Sequence, residues 1–146
     1  MSTSFKASAR TALILLYDTD GRFLLQHRTP DAPVIPDYWG FFGGHIKDGE
    51  TVEAALYRET FEELRYRLSA PVFLLEQDFR IDALEGHMHV FVEALAGEKS
   101  ALELLEGQGW GWFTVDEIAP LKMMEHDRSV VRSADTHIKR LGNNER

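Results

Sequence analysis

The stretch from Gly44 to Tyr66, GHIKDGETVEAALYRETFEELRY, constrains the chain more than any other. Asp48-Gly49 marks a turn, Thr51 supplies an N-cap and Glu53 complements the dipole of the first helical turn. The helix this predicts runs to about Tyr66 and turns Val52, Ala55, Leu56, Thr60 and Leu64 inward. At about 100° per residue it gathers Glu59, Glu62 and Glu63 on one face. Like charges so close destabilise a helix by roughly 0.2–0.5 kcal/mol per pair. Such a cluster is tolerated most easily around a cation, and a divalent metal is the natural candidate.

Around this helix the chain reads as one α/β domain spanning residues 1–146, with a mixed sheet between helices. Arg10 to Tyr17 and Arg22 to His27 flank an Asp/Gly turn and form a β-hairpin. Prolines 30, 33 and 36 make Thr29 to Asp37 an irregular loop. Tyr38 to Phe42 is a short strand ending at Gly43-Gly44, where the backbone needs freedom. Val72 to Ile81 and Gly86 to Ala96 form a second hairpin through Asp82 to Glu85. Gly97 to Gly107 is a polar connection in which Ala101 to Leu105 can make a helical turn, and Gly109 to Phe113 is an aromatic strand. Thr114 to Glu117 fits a capping box opening a short helix that Pro120 ends. A last helix starts near Asp127, turns Val130, Val131, Ala134, Ile138 and Leu141 inward, and stops at Gly142. Residues 1–8 and 143–146 are expected to be flexible.

Composition excludes several functions. The chain of 146 residues has no cysteine, which removes disulfides, thiolate zinc sites and cysteine nucleophiles. A net charge of -8 argues against a polymer of nucleic acid as partner, since that affinity rests on Lys and Arg neutralising phosphates. A small anionic substrate that meets a metal ion remains compatible with it. The apolar run Ala12 to Tyr17 is too short to span a membrane and lacks a cleavage-site pattern, so a cytoplasmic protein is expected.

From Gly44 the order is five residues, Glu50, seven residues, then Arg58-Glu59-Thr60-Phe61-Glu62-Glu63-Leu64-Arg65-Tyr66. This closely resembles the signature of the Nudix hydrolases. Leu24 to Arg28, Trp39 to Gly44 and Glu106-Gly107-Gln108 are further similar to MutT-type members. Two positions depart from the signature. Arg65 stands where a glycine usually ends the helix, so it either adopts a left-handed conformation or lets the helix continue. Thr60 stands where an aliphatic residue is usual.

The resemblance implies an α/β/α sandwich of Nudix type. It implies hydrolysis of a diphosphate linkage in a nucleoside diphosphate joined to another group, with Mg²⁺ and with Mn²⁺ as a substitute. The ligands it implies are Glu59 and Glu63, then Glu62, with the carbonyl of Gly43. Glu106 resembles the late glutamate that serves MutT-type enzymes as ligand or general base. Arg58 and Glu50 are expected to brace the loop against the helix, and Arg28, Gly44 and His45 to meet the substrate. The expected partner is a small nucleotide, a (deoxy)nucleoside triphosphate cleaved to the monophosphate and pyrophosphate, and the protein is expected to be a monomer or homodimer. The alternatives are a nucleoside-diphosphate sugar or dinucleotide as substrate, a nucleotide sensor without turnover, and a decapping activity that the acidic balance disfavours.

Other residues carry competing readings. His87 and His89 share one face of a strand and suit a transition metal, but no third ligand lies nearby in sequence. They therefore read as a solvent-facing or substrate-facing pair. Of Trp39, Phe41, Phe42, Trp110, Trp112 and Phe113, most are expected in the core and one or two at a base pocket. His126 falls near the position at which MutT-type proteins read the base.

Overall fold

The computed structural model describes residues 7–144, and side chains between residues 9 and 142. The flexibility expected at the termini concerns residues that lie largely outside this range. Seven strands form one mixed sheet. The longest, β1 (Ala7–Tyr17), runs parallel to β6 (Leu84–Ala94) over its whole length and antiparallel to β4 (Phe42–His45). β5 (Val72–Ile81) is the edge beyond β6. On the other side, β2 (Phe23–His27) meets β1 only at Tyr17 and Phe23, then pairs with β3 (Trp39–Gly40) and β7 (Gly109–Phe113).

Strand alternation sends side chains to both faces, and each face is covered by one helix. Ala12, Ile14 and Leu16 of β1 pack with Leu24, Phe42 and Phe91 under Ala55, Leu56 and Leu64 of α1 (Val52–Leu64). On the opposite face Leu15, Phe23, Leu25, Met88, Val90 and Val92 pack against Val130, Val131 and Ala134 of α2 (Glu125–Asn144). This is the expected α/β/α sandwich with a mixed sheet.

Thr51 caps α1 as expected, its hydroxyl accepting from Ala54 N at 3.0 Å. The helix ends at Leu64 rather than Tyr66, because Arg65 takes the left-handed conformation at φ 54° and its N–H donates to Phe61 O. The guanidinium carbons of Arg65 and Arg67 lie 5.2 Å and 4.4 Å from the centre of the Phe61 ring, which helps hold this turn. Behind it, Tyr66 donates to the buried Glu93 at 2.6 Å, and Glu93 accepts from the N–H groups of Ser69 and Ala70.

Thr60 is fully buried and its hydroxyl has no hydrogen-bond partner among the described residues. An orphaned buried hydroxyl costs about 1–3 kcal/mol. Thr60→Val keeps the shape and removes the polar atom, so the variant should unfold at a higher temperature by several degrees in a calorimetric scan.

Several local expectations need correction. The strand expected over Tyr38 to Phe42 is broken at Phe41. There the chain leaves β2 for β1, and the Gln26 amide donates to Phe41 O at 2.9 Å across the gap. The second hairpin turns more tightly than expected, with Asp82 at φ 53° and β6 starting at Leu84 and ending at Ala94. The helical turn expected over Ala101 to Leu105 is a 3-10 turn at Lys99–Ala101.

The Thr114 and Glu117 capping bonds form at 2.8 and 3.3 Å, but only successive turns follow them. Arg128 donates to the carbonyls of Ile118, Ala119 and Leu121, and so takes acceptors that a continuing helix would use. α2 begins at Glu125, earlier than expected, and continues through Gly142 to Asn144, while Leu141 is 41% exposed rather than inward. The last residue of α2 packed against the core is Ile138.

Candidate active site

The end of β4 brings the backbone against α1. A Cβ on Gly43, which has φ +124°, would fall 2.2 Å from Ala12 O, and one on Gly44 would fall 2.7 Å from the carboxylate carbon of Glu59. Gly43 is required by its φ and by the β1 backbone beside it, whereas a side chain at Gly44 would have to push the Glu59 carboxylate aside. The N–H of Gly43 donates to Glu63 Oε1 at 3.0 Å. Both family glycines are thus in direct contact with the helix acids.

Arg58 stands in the middle of the charges. Its Nε and one terminal nitrogen grip both oxygens of Glu50, at 2.7 and 2.9 Å. That second nitrogen also donates to His45 O at 3.0 Å, while the other reaches Glu59 at 2.9 Å and Glu62 at 3.3 Å. Glu50 additionally accepts from Lys47 N at 2.9 Å. These bonds, led by Arg58, hold the Glu50 carboxyl down at about 2 and raise the Arg58 guanidinium further. Glu62 is exposed and touches the cluster through Arg58, whereas Glu63 is only 5% exposed.

Glu63 is pushed up to about 10, first by burial, then by the adjacent carboxyls of Glu59 and Glu106. Glu63 therefore has the carboxyls of Glu59 and Glu106 as its neighbours. The arrangement has a backbone cause. Glu103 N donates to Leu64 O at 3.0 Å and Leu105 N to Glu63 O at 2.9 Å. These bonds satisfy two of the carbonyls that the end of α1 leaves open, and they deliver Glu106 to the helix. On the far side, Gln108 N donates to His27 O at 2.8 Å.

The donor set fits a hard divalent cation. It consists of carboxylate oxygens, one of them buried beside like charges, with no Lys or Arg nitrogen against Glu63 among the described residues. Such crowding is relieved either by a proton or by a metal ion.

Arg28 links this cluster to a second space. It lines a shallow recess with Gln26, Glu106 and Gly107. It also lines a cavity of about 260 Å³ on the α2 face, with His45, Phe79, Met88, His126 and Asp127. Arg28 Nε donates to Val34 O at 3.0 Å, so the proline-rich loop sets its direction. Asp127 is 7% exposed, and burial raises its carboxyl to about 7 against the opposing charge of Arg28. His126 stacks on Phe79 at 5.7 Å, and burial lowers its pKa. Its 3.4 Å approach to Asp127 is therefore a contact of a neutral ring at neutral pH.

Of the aromatics expected near a base, Trp39, Phe41 and Phe113 pack in the α2-side core and Phe42, Trp110 and Trp112 in the α1-side core. The ring in the cavity is Phe79. Sequence reasoning missed both Phe79 and Asp127. A strand residue and a helix-start acid carry no local signal of a shared cavity.

A match to the NUDIX domain family covers residues 7–134. The chain belongs to the Nudix family. As a Nudix hydrolase it acts on phosphoric anhydride bonds, and enzymes of this family typically work with a divalent metal. Over 129 residues it is 26% identical to the nucleoside triphosphatase NudI of Enterobacter sp. (strain 638), an alignment covering 82% of this chain and 92% of that protein. Its fold is similar to that of the MutT protein from Methanosarcina mazei Go1, at a TM-score of 0.80 and 18% identity, covering 94% of this chain and 99% of that one. It is also similar to a MutT Nudix hydrolase from Burkholderia pseudomallei, at a TM-score of 0.72 and 26% identity, covering 86% and 97%. No helix among the described residues is long and apolar enough to cross a membrane.

Proposed function

We propose that residues 1–146 form one catalytic domain, a cytoplasmic Mg²⁺-dependent pyrophosphohydrolase acting as monomer or homodimer. Its substrate is a (deoxy)nucleoside triphosphate, cleaved to the monophosphate and pyrophosphate, and Mn²⁺ substitutes for Mg²⁺. The observation that carries this reading is the buried Glu63 carboxylate held by Gly43 N at 3.0 Å, with Glu59 against Gly44 and with Glu59 and Glu106 as its acidic neighbours. The nucleoside triphosphatase NudI among the relatives supports the substrate class.

Glu59 and Glu63 hold the cation, with Gly43 beside them, Glu62 at the exposed rim and Glu106 facing from the loop. When bound, the ion neutralises the diphosphate and acidifies water. Glu106, which lies on the loop before β7 rather than on the helix, accepts the proton of the attacking water. Arg58 and Glu50 act as positioning residues, since their bidentate bridge fixes the approach of the loop to α1. Arg28 binds substrate phosphate, with Gly44 against Glu59 and His45 on the wall of the 260 Å³ cavity as further substrate contacts.

That cavity receives the base. Phe79 and Met88 supply apolar wall, and a carboxyl that titrates near 7 both donates and accepts hydrogen bonds to a base edge. Asp127→Ala should raise KM by roughly tenfold to a hundredfold, the scale of a lost buried hydrogen bond. In the wild type at saturating Mg²⁺, affinity should weaken as pH rises through about 7 and Asp127 loses its proton, and this limb should vanish in the variant. Steady-state kinetics across pH 6 to 8 reads both.

Incubation with Mg²⁺ and a panel of nucleoside triphosphates, nucleoside-diphosphate sugars and dinucleotides, with products resolved chromatographically, tests the reading. Monophosphate and pyrophosphate from a triphosphate is the expected result. Turnover confined to the sugars or dinucleotides would replace this substrate, and no turnover on any would overturn the reading.

A further inference from the structure

The strand register of the β5–β6 hairpin assembles a second group of metal-ligating side chains. Glu76 pairs with His89 and Asp78 with His87 across the two strands. A donor atom from each of Glu76, His87 and His89 lies within 4.8 Å of the others. We propose that Glu76, His87 and His89 form a binding site for a divalent first-row transition ion of the Zn²⁺ class, separate from the acid cluster of α1.

The orientation of the rings supports the assignment. His87 Nδ1 lies 2.7 Å from Asp78 Oδ1, and His89 Nδ1 lies 3.1 Å from Thr11 O. A carboxylate and a backbone carbonyl only accept, so His89 carries its proton on Nδ1 and keeps the Nε2 lone pair for a metal, while His87, held through Nδ1 by Asp78, gives up the Nε2 proton it shares with Glu76 when an ion takes that place. Outer hydrogen bonds to a carboxylate and a carbonyl are the usual way a protein orients metal-binding histidines. His87 Nε2 already faces Glu76 Oε1 at 3.0 Å, and the two rings stand 4.9 Å apart. Donors bonded to one tetrahedral ion at roughly 2.0–2.2 Å stand about 3.4 Å from each other, so side-chain shifts of about an ångström close the site.

Two imidazoles and one carboxylate suit Zn²⁺, Co²⁺ or Ni²⁺ rather than Mg²⁺, which prefers oxygen alone. Three protein ligands leave a coordination position open on the solvent side, where Glu76 is exposed. The three donors also group without any acid of α1. His89 pairs with Ala12 and Ala12 with Gly44, so two strand spacings, about 10 Å, separate His89 from the backbone beneath Glu59. Metals acting together on one diphosphate stand roughly 3.5–4 Å apart. Arg10, opposite His87 on β1, is the nearest cation by register, and Glu76 and Asp78 outweigh it.

Equilibrium dialysis against Zn²⁺ with excess Mg²⁺ tests the site in the 146-residue chain, with Co²⁺ absorption as an independent readout. The wild type and Glu63→Gln should each bind one equivalent of Zn²⁺, and Co²⁺ should show the intense visible bands of a low-coordinate nitrogen and oxygen site. His89→Ala should weaken Zn²⁺ binding at least tenfold and abolish those bands while far-ultraviolet circular dichroism is unchanged. Should that variant misfold, Glu76→Gln, on an exposed side chain, must produce the same loss. Zn²⁺ binding equal in the wild type and Glu76→Gln, or Co²⁺ spectra of an octahedral aquo ion, would overturn the proposal.

Discussion

Glu63→Gln removes metal-dependent hydrolysis and at the same time stabilises the metal-free protein. The loss of activity should be on the order of a thousandfold or more, the scale on which single charge-stabilising groups act in phosphoryl transfer. The gain in stability follows from the same crowding. In the metal-free fold Glu63 holds its proton up to about 10, against an ordinary value of 4.5. Between these values the folded state binds more protons than the unfolded one, so stability falls as pH rises through that interval. Glutamine resembles the protonated acid, still accepts from Gly43 N and does not titrate. The variant should therefore match the wild type near pH 4 and unfold at a progressively higher temperature than it toward pH 9, without metal. Calorimetry at several pH values with a chelator measures this, and equal pH dependence in the two proteins would refute the crowded-acid description.

Arg58→Lys should lower kcat by about a hundredfold although no Arg58 atom needs to touch substrate. The guanidinium serves Glu50 twice, Glu59, Glu62 and the His45 carbonyl from one plane. An ammonium cannot reproduce that fork. The loop then settles differently against α1, and a misplacement of about an ångström costs roughly this factor. The pH signature is distinct. Glu50 is depressed to about 2 in the fold, so its stabilising contribution is present above 4.5 and lost as pH falls through about 2. In the Arg58→Lys variant that contribution should be largely missing above 4.5, so the two proteins should differ most in unfolding temperature near neutral pH and converge as pH falls toward about 2, while equal unfolding temperatures near neutral pH would show that the bridge is dispensable.

The parts of this architecture that were legible in the sequence are those with local causes. The Thr51 cap, the apolar spacing of Ala55, Leu56 and Leu64, and the double glycine are all read within one turn or one strand of where they act. The mixed sheet and the two covering helices follow from alternating and helical periodicity. Parts with nonlocal causes were not legible. Glu106 arrives at Glu63 because Glu103 and Leu105 bond the last carbonyls of α1, which no spacing announces. The capping box at Thr114 is present without its helix because Arg128, from the first turn of the next helix, occupies the carbonyls. Leu141 keeps the helical spacing of a core residue but lies beyond Ile138, the last residue of α2 packed against the core. His87 and His89 lacked a third ligand only until the strand register supplied Glu76.

The account rests most heavily on the claim that the buried Glu63 holds a proton, beside Glu59 and Glu106, until a divalent cation replaces it. Titrating Mn²⁺ or Mg²⁺ into metal-free protein calorimetrically, in buffers of different ionisation enthalpy at pH 7.5, tests that claim most directly. The account predicts release of about one proton per cluster filled, because Glu63 titrates near 10, with binding and proton release both lost in Glu63→Gln. Binding without proton release, or undiminished binding in Glu63→Gln, would contradict it.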